Sequence, residues 1–166
     1  MNIQLSKNFS LDDLIASATA SKYKIDNTPT AEHIGNLKIL CEMCLQPVRE
    51  RYGKSISINN GYRSKALCDA MLKEGYSVSP TTDHSLGRAS DIRDKEDKKN
   101  NKKLFDCIVQ FGDFDQLIWE CNAGNGHLEY PDWVHVGYRR NGNRKQVFKM
   151  VGGKTTHRNY DGVRWS

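Results

Sequence analysis

Three residues of the types that bind metal ions stand out in this chain of 166 residues. His84 and Asp91 lie seven positions apart, and Gly87 falls between them. A turn at Gly87 would let the chain leave a loop at His84 and enter a strand by Asp91, so that the two side chains converge. A second histidine, His135, lies within an apolar, strand-like segment. Two imidazoles and one carboxylate are the ligand set of a catalytic zinc site with an open fourth position.

The same residue types also have ordinary structural roles. A lone histidine in a strand is more often a hydrogen-bonded structural residue than a metal ligand, and an aspartate near a glycine is usually part of a turn. The spacing alone therefore leaves both a metal site and a purely structural role open.

Capping signals and apolar spacing predict the helices that must position these residues. Ser10 and Asp13 resemble a capping box at the start of a short helix. Thr28 and Pro29 predict the start of a long helix, because a capping hydroxyl precedes a proline, and Gly53 predicts its end. Two further helices are predicted, one between Ser64 and Gly75 and one around residues 104–109.

Alternating or apolar runs predict that most strands come later in the chain. The predicted strands are 55–58, the segment entered by Asp91, 116–120, 133–138 and 146–151. Helices come mostly first, without the regular alternation of helices and strands that builds a parallel sheet. The pattern predicts an α+β fold in which a small, mostly antiparallel sheet packs with helices.

The composition excludes several classes of protein. Hydrophobic residues make up 37% and charged residues 27% of the chain, which contains three Trp, seven Tyr and five Phe. These values exclude a disordered chain, a collagen-like chain and a coiled coil. No run approaches the ~20 apolar residues of a membrane span. The N-terminus lacks the apolar stretch of a secretory signal, so we expect synthesis in the cytoplasm without a signal peptide.

The net charge and the cysteine content restrict the possible binding partners less than the composition restricts the class of protein. The net charge of +5 could favour nucleic acid, a membrane surface or another polyanion. The basic residues are spread along the chain and interrupted by acidic ones, so we expect no specific nucleic-acid partner. The five cysteines are an odd number, which predicts free thiols. Cys41 and Cys44 fall on an apolar helix face and are expected in the core.

Several blocks of the sequence, taken together, resemble the zinc-dependent M15 peptidase family. Thr82–Asp91 fits the family pattern S/T-x-H-x-x-G-x-A-x-D, and Trp133–Val136 fits the pattern W-x-H-V that follows it downstream. The other matching blocks are Ile25–Thr30, Leu45–Glu50, Gly61–Ser64 and Phe114–Glu120. The resemblance runs in family order from about residue 8 to residue 138 and covers most of the chain.

The resemblance implies a fold, an activity and a ligand set. The fold is the one that the family shares with the hedgehog signalling domain. The family includes D-alanyl-D-alanine carboxypeptidases and phage endolysins that cut peptidoglycan peptides. The implied zinc ligands are His84, Asp91 and His135. We therefore expect one M15-type peptidase domain over residues 1–166, with a core of about 8–151 and a polar tail, 152–166, that is either an ordered cap or a wall-contacting patch.

The resemblance also suggests the remaining catalytic groups. A carboxylate must take a proton from water and deliver it to the leaving amine. Asp132 stands three residues before His135, a spacing that several family members use for this base, and Glu120 is the rival, because related members have a glutamate at the end of that strand. We favour Asp132, although positions 132 and 135 point to opposite faces of an ideal strand. Arg63 is expected to hold a substrate carboxylate or the developing oxyanion, unless it is an ordinary turn-capping arginine.

The predicted function is therefore that of a zinc metallopeptidase. Its expected substrates are peptidoglycan stem peptides, which it would cut as a D-Ala carboxypeptidase or as an endopeptidase of the endolysin type. We expect a monomer that acts on the bacterial cell wall in the manner of a phage or prophage lysin. The alternative is a non-catalytic zinc-binding or wall-binding module on the same fold. Three further histidines match no ligand spacing and are expected to be structural or exposed: His33, His127 and His157.

Overall fold

Helices dominate the first half of the structure and strands the second. The computed structural model describes residues 3–76, 78, 82–124 and 129–166. The α-helices are α1 (Leu11–Ile15), α2 (Ala18–Tyr23), α3 (Ala31–Leu40), α4 (Gln46–Tyr52), α5 (Lys65–Lys73) and α6 (Asn101–Phe111). A π-helical turn (Cys41–Leu45) joins α3 to α4, and a 3-10 turn (Lys98–Asn100) precedes α6. The strands are β1 (Gln4–Ser6), β2 (Phe9–Ser10), β3 (Ile56–Asn60), β4 (Ala89–Asp94), β5 (Gln116–Cys121), β6 (Trp133–Gly137), β7 (Gln146–Val151) and β8 (Lys154–His157).

Most of the predicted helix and strand signals are confirmed. Ser10 and Asp13 form the predicted capping box at the start of α1, and the Ser64 hydroxyl caps α5. The predicted strands correspond to β3 to β7, while β1, β2, β8 and α2 were not predicted. No helix among the described residues is long and apolar enough to cross a membrane.

The long helix begins later than predicted. It starts at Ala31 rather than at Thr28–Pro29, because the hydroxyl of Thr30 is the N-cap and accepts a hydrogen bond from the His33 backbone N–H at 3.3 Å. The backbone N–H of Thr28 instead donates to the Asp26 carboxylate at 2.9 Å. This local bond holds residues 26–28 in a turn that precedes the helix.

The middle of the long helix contains one wider turn. The backbone N–H of Gln46 donates to the carbonyl of Cys41, five residues back. Pro47 follows immediately and has no N–H to donate to the Met43 carbonyl, so the regular helical ladder is interrupted there. The predicted end of the helix is confirmed, since Gly53 caps it with a φ of 74°.

The main sheet is mixed rather than antiparallel throughout: most of its strand pairs are antiparallel as predicted, and one parallel pair corrects the prediction. Its strand order is β3-β4-β6-β5-β7-β8, and β5 and β7 run parallel while its other neighbours are antiparallel. Hydrogen bonds at the point where the two strands begin hold the parallel pair together. Asp115, just before β5, accepts hydrogen bonds from the backbone N–H groups of Arg144, at 3.0 Å, and Gln146, at 2.9 Å. These bonds bring the start of β7 beside the start of β5, so the two strands run in the same direction.

One face of the central strands packs against the core, and the opposite face is more polar. The core side chains from these strands are Ile92, Leu117, Trp119, Val134 and Val136. On the other face, His135 pairs in register with Asp91 on one side and with Ile118 on the other. Because side chains alternate along a strand, these paired positions project to the same side of the sheet.

The C-terminal tail packs on the core as an ordered cap. The rings of Tyr160 and Trp165 lie with their centroids 5.5 and 5.7 Å from that of Phe105. The Trp165 ring also meets Trp119 at 6.0 Å. The tail therefore extends the aromatic core beneath β5 and α6.

The loop that carries His84 is fixed against α3. The Asn36 side-chain amide donates to the Leu86 carbonyl at 2.9 Å. Gly87 has a φ of 68°, and a Cβ built there would lie 2.6 Å from the His33 carbonyl oxygen. Only glycine combines this conformation with this close approach.

We predict that Gly87→Ala lowers the free energy of unfolding by about 2 kcal/mol or more, because it adds left-handed strain and a backbone clash. The measurement is chemical denaturation followed by circular dichroism. The matched control is Gly35→Ala in α3, where a Cβ would meet nothing within 4 Å. That control should raise stability by about 0.5–1 kcal/mol through helix propensity. Equal stabilities for the two variants would contradict the role of Gly87.

Candidate metal centre

Three buried side chains from separate elements converge on one point. His84 comes from the loop before β4, Asp91 from β4 and His135 from β6. His84 Nε2 lies 3.2 Å from His135 Nδ1 and 3.3 Å from Asp91 Oδ1. The distance from His135 Nδ1 to Asp91 Oδ1 is 3.0 Å. Atoms placed ~2.0–2.1 Å from a tetrahedral zinc ion stand roughly 3.3–3.4 Å apart, so the cluster fits such an ion closely.

Hydrogen bonding fixes which atom of His84 faces this point. Its Nδ1 lies 2.6 Å from the Gly61 carbonyl oxygen. A carbonyl only accepts, so Nδ1 carries the proton and donates it there. Burial lowers the pKa of His84 and favours the neutral ring, which leaves the Nε2 lone pair directed at the cluster. An orienting carbonyl on the distal nitrogen is the usual outer partner of a metal-binding histidine.

Asp91 remains ionised despite its burial. Burial alone would raise the pKa of its carboxyl, but the two neighbouring imidazoles lower it well below its ordinary value. Burial alone would likewise lower the pKa of His135, but its hydrogen bond to Asp91 and the carboxylate charge raise it. The site therefore offers one negatively charged oxygen and two imidazole nitrogens, which is a donor set that suits zinc.

Arg63 binds the second oxygen of Asp91. Its Nη2 lies 3.0 Å from Asp91 Oδ2, and its side chain is only 11% exposed. The Nε atom is buried and has no hydrogen-bond partner among the described residues. The turn that carries Arg63 is fixed by Asn27, whose side chain donates to the Tyr62 carbonyl and accepts from the Ser64 backbone N–H. Asn27 has no separate sequence signal beyond its presence in a matching block.

Glu120 lies in the same cavity as the metal cluster. The cavity has a volume of about 730 Å³, and its lining includes Arg63, Glu120 and all three residues of the cluster. Burial and then the negative charge of Asp91 raise the pKa of Glu120 to about 7. The charges of His135 and Arg63 oppose this rise only in part. A carboxyl that titrates near neutral pH can both accept and donate a proton.

Asp132 lies at the start of β6, on the other side from His135. Its Oδ2 accepts a hydrogen bond from the Asn122 backbone N–H at 2.9 Å, and its Oδ1 lies 3.4 Å from Lys98 Nζ. Its backbone carbonyl accepts from Asn101 of α6, which packs on the core side of the sheet. Asp132 is absent from the described residues that line the cavity, so the structure brings Glu120, rather than Asp132, to the cluster.

The other histidines that the structure describes, and the cysteines, lie outside the cluster. His33 Nδ1 lies 3.0 Å from the Tyr62 hydroxyl, and His157 belongs to β8. His127 lies outside the described residues. Cys41 and Cys44 are buried in the core as expected, and burial raises the pKa of each thiol to about 12.

Comparison with known proteins gives one result that covers most of the chain. A family model described as Peptidase M15 matches residues 7–137. A search of curated proteins finds no match. The matched range contains the three residues of the metal cluster together with Arg63, Glu120 and Asp132. The chain therefore belongs to the M15 peptidase family.

Proposed function

We propose that this protein is a zinc-dependent peptidase that hydrolyses peptide bonds in peptidoglycan stem peptides, as a D-Ala carboxypeptidase or an endopeptidase. Membership of the M15 family implies a metal-dependent peptidase. The observation that carries the finer proposal is the buried cluster of His84, Asp91 and His135, which lies in an open cavity beside an arginine and a carboxyl group.

The proposed roles follow from chemistry and position. Zinc, when bound, would act as a Lewis acid on the scissile carbonyl and increase the acidity of water. Glu120 takes the proton from the attacking water and passes it to the leaving amine, because its pKa near 7 suits both transfers. Arg63 keeps its Nη2 on Asp91, and the part of its guanidinium group that lines the cavity donates to a substrate oxygen. Glu120 thus replaces Asp132 as the proposed base.

Substrate and setting rest on the family resemblance together with charge. The net charge of +5 favours approach to an anionic wall. We infer a monomer that has the hedgehog/DD-peptidase fold in one domain and acts on the bacterial cell wall as a phage or prophage lysin does.

The alternative of a non-catalytic zinc-binding or wall-binding module is less well supported. A binding module has no need of a proton-transfer group beside its metal site. Glu120 lies in the cavity beside the cluster, where it can serve as such a group. This feature favours an enzyme.

We predict that His84→Ala and His135→Ala each abolish stoichiometric zinc binding, because two ligands cannot replace three. Elemental analysis after dialysis measures the bound metal. Zinc at 100 times its dissociation constant should also increase the stability of the wild type by about 2.7 kcal/mol and so raise its unfolding temperature. It should not stabilise the variants. His157→Ala is the control and should keep its zinc. Full zinc retention by His84→Ala would contradict the ligand set.

A second pair of variants separates the two candidate bases. Glu120→Gln should retain zinc but lose ~10²-fold or more in kcat, because the amide cannot accept the proton. Asp132→Asn keeps the shape of the side chain and should change kcat by only a few-fold. The measurement is hydrolysis of a stem pentapeptide, followed by mass spectrometry. The opposite order of losses would restore Asp132 as the base.

Arg63→Lys should keep the positive charge but lose the planar pair of donors. We expect kcat/KM to fall about tenfold or more, because an ammonium group cannot bind Asp91 and a substrate oxygen at the same time in this geometry. Zinc content, measured in parallel, should be unchanged. Wild-type kcat/KM in this variant would show that Arg63 serves only to stabilise the turn.

A further inference from the structure

One wall of the cavity comes from chain that follows the family match. The match ends at residue 137, yet Met150 and Gly153 line the same cavity as His84. These residues belong to the hairpin of β7 and β8. The hairpin therefore contributes to the site without being part of the region that defines the family.

The hairpin places Met150 directly beside Glu120. The two residues are paired in the parallel register of β5 and β7. Paired residues project to the same face of a sheet, and neighbouring strands lie about 4.8 Å apart. A substrate group bound at the Glu120 carboxyl therefore lies close to the Met150 side chain.

The turn of the hairpin is fixed at the rim of the cavity. Gly152 and Gly153 have φ values of 57° and 75°. The Gly152 backbone N–H donates to the Cys121 carbonyl at 2.9 Å, and a Cβ at Gly152 would lie 2.9 Å from the Ala123 Cβ. At Gly153 a Cβ would meet nothing within 4 Å, so this position faces open space.

The back of the hairpin is anchored to the aromatic core. Lys149 Nζ lies 5.3 Å from the centre of the Trp119 ring and 5.9 Å from that of Trp165. Lys149 and Met150 project to opposite faces because they are adjacent in β7. The anchoring of one face fixes the direction of the other, so Met150 is held toward the cavity.

Other side chains with apolar surface line the same cavity as Met150. Ile118 lies on β5, two residues before Glu120, and Met71 and Tyr76 line the cavity from α5 and the turn after it. Tyr76 is 56% exposed, at the mouth. Two flexible thioethers, one aliphatic side chain and one aromatic ring thus line the cavity that holds the polar cluster. Methionine adapts its shape to small aliphatic groups, and burial of a charge against it is costly.

We propose that Met150, with Ile118 and Met71, forms an apolar subsite that binds a small aliphatic side chain, such as that of alanine, on the substrate residue next to the scissile bond. Met150 is the residue of this subsite that determines specificity. The inference rests on the proposed function, because it assigns the substrate contact of the same cavity. It also gives the hairpin after residue 137 a role in recognition.

The first test observes the methionine methyl groups directly. Zinc-loaded protein labelled with 13C in its methionine methyls is titrated with a stem pentapeptide that ends in two D-alanines, and NMR spectra are recorded. The signals of Met150 and Met71 should shift. The signal of Met43, which is 51% exposed on the π-helical turn, should not. The Met150 signal is assigned by its loss in Met150→Leu.

The second test measures selectivity. Met150→Ala enlarges the subsite, so the ratio of kcat/KM for a leucine-containing peptide to that for the alanine-containing peptide should rise about tenfold. Met43→Ala is the matched control and should leave the ratio unchanged. Gly153→Asn should lower the ratio, because asparagine tolerates a positive φ and adds a side chain at the mouth. An equal loss on both peptides in Met150→Ala would overturn the subsite.

The two tests together distinguish the subsite from the proposed function. Cleavage of the pentapeptide without a shift of the Met150 signal overturns the subsite and supports the function. A Met150 shift without cleavage overturns the proposed function, and with it the scissile bond that defines the subsite, and shows only that Met150 contacts a bound peptide. No shift and no cleavage overturn both.

Discussion

The buried carboxylate of Asp91 is the group on which the whole site depends. One of its oxygens lies 3.0 Å from His135 and 3.3 Å from His84, and the other lies 3.0 Å from Arg63. A charge buried in this way is very costly unless cations or strong donors surround it. The surrounding fold supplies them from separate parts of the chain: β6 brings His135 through strand pairing, the loop fixed by α3 brings His84, and the turn fixed by Asn27 brings Arg63. Loss of this carboxylate would leave a guanidinium and two imidazoles without their common partner.

The convergence of the three candidate ligands was predictable from the sequence because its signals are local or shared by a family. Residue type, the spacing around Gly87 and the matching blocks together indicate His84, Asp91 and His135. Contacts that are neither local nor part of a family pattern leave no such signal, and these are the features that the sequence did not predict. The parallel pairing of β5 with β7 depends on Asp115, whose bonds to residues 144 and 146 span about thirty positions of chain. No periodic pattern records such a contact.

The choice between the two acidic residues shows a second limit. Glu120 and Asp132 are both close in sequence to strand residues of the site, and both have precedents in the family. What separates them is the face to which each side chain points. Alternation from His135 already directs Asp132 away, and its contacts with Asn122 and Lys98 hold it there. Glu120 pairs with Trp133, which shares the face of His135, so its side chain enters the cavity.

The division of the cavity between two parts of the chain has a physical reason. The proposed metal binding and proton transfer need a few polar atoms held within tenths of an ångström, and the residues proposed for them lie within 7–137, on the central strands or in loops that hydrogen bonds hold in place. Contact with an aliphatic side chain needs only complementary shape and the exclusion of water, which many apolar side chains can supply. A hairpin at the edge of the sheet can therefore change its side chains without disturbing Asp91 and its partners. Because Met150 stands beside Glu120 in register, the proposed subsite would let one substitution there alter what the site accepts without changing the groups proposed for the chemistry.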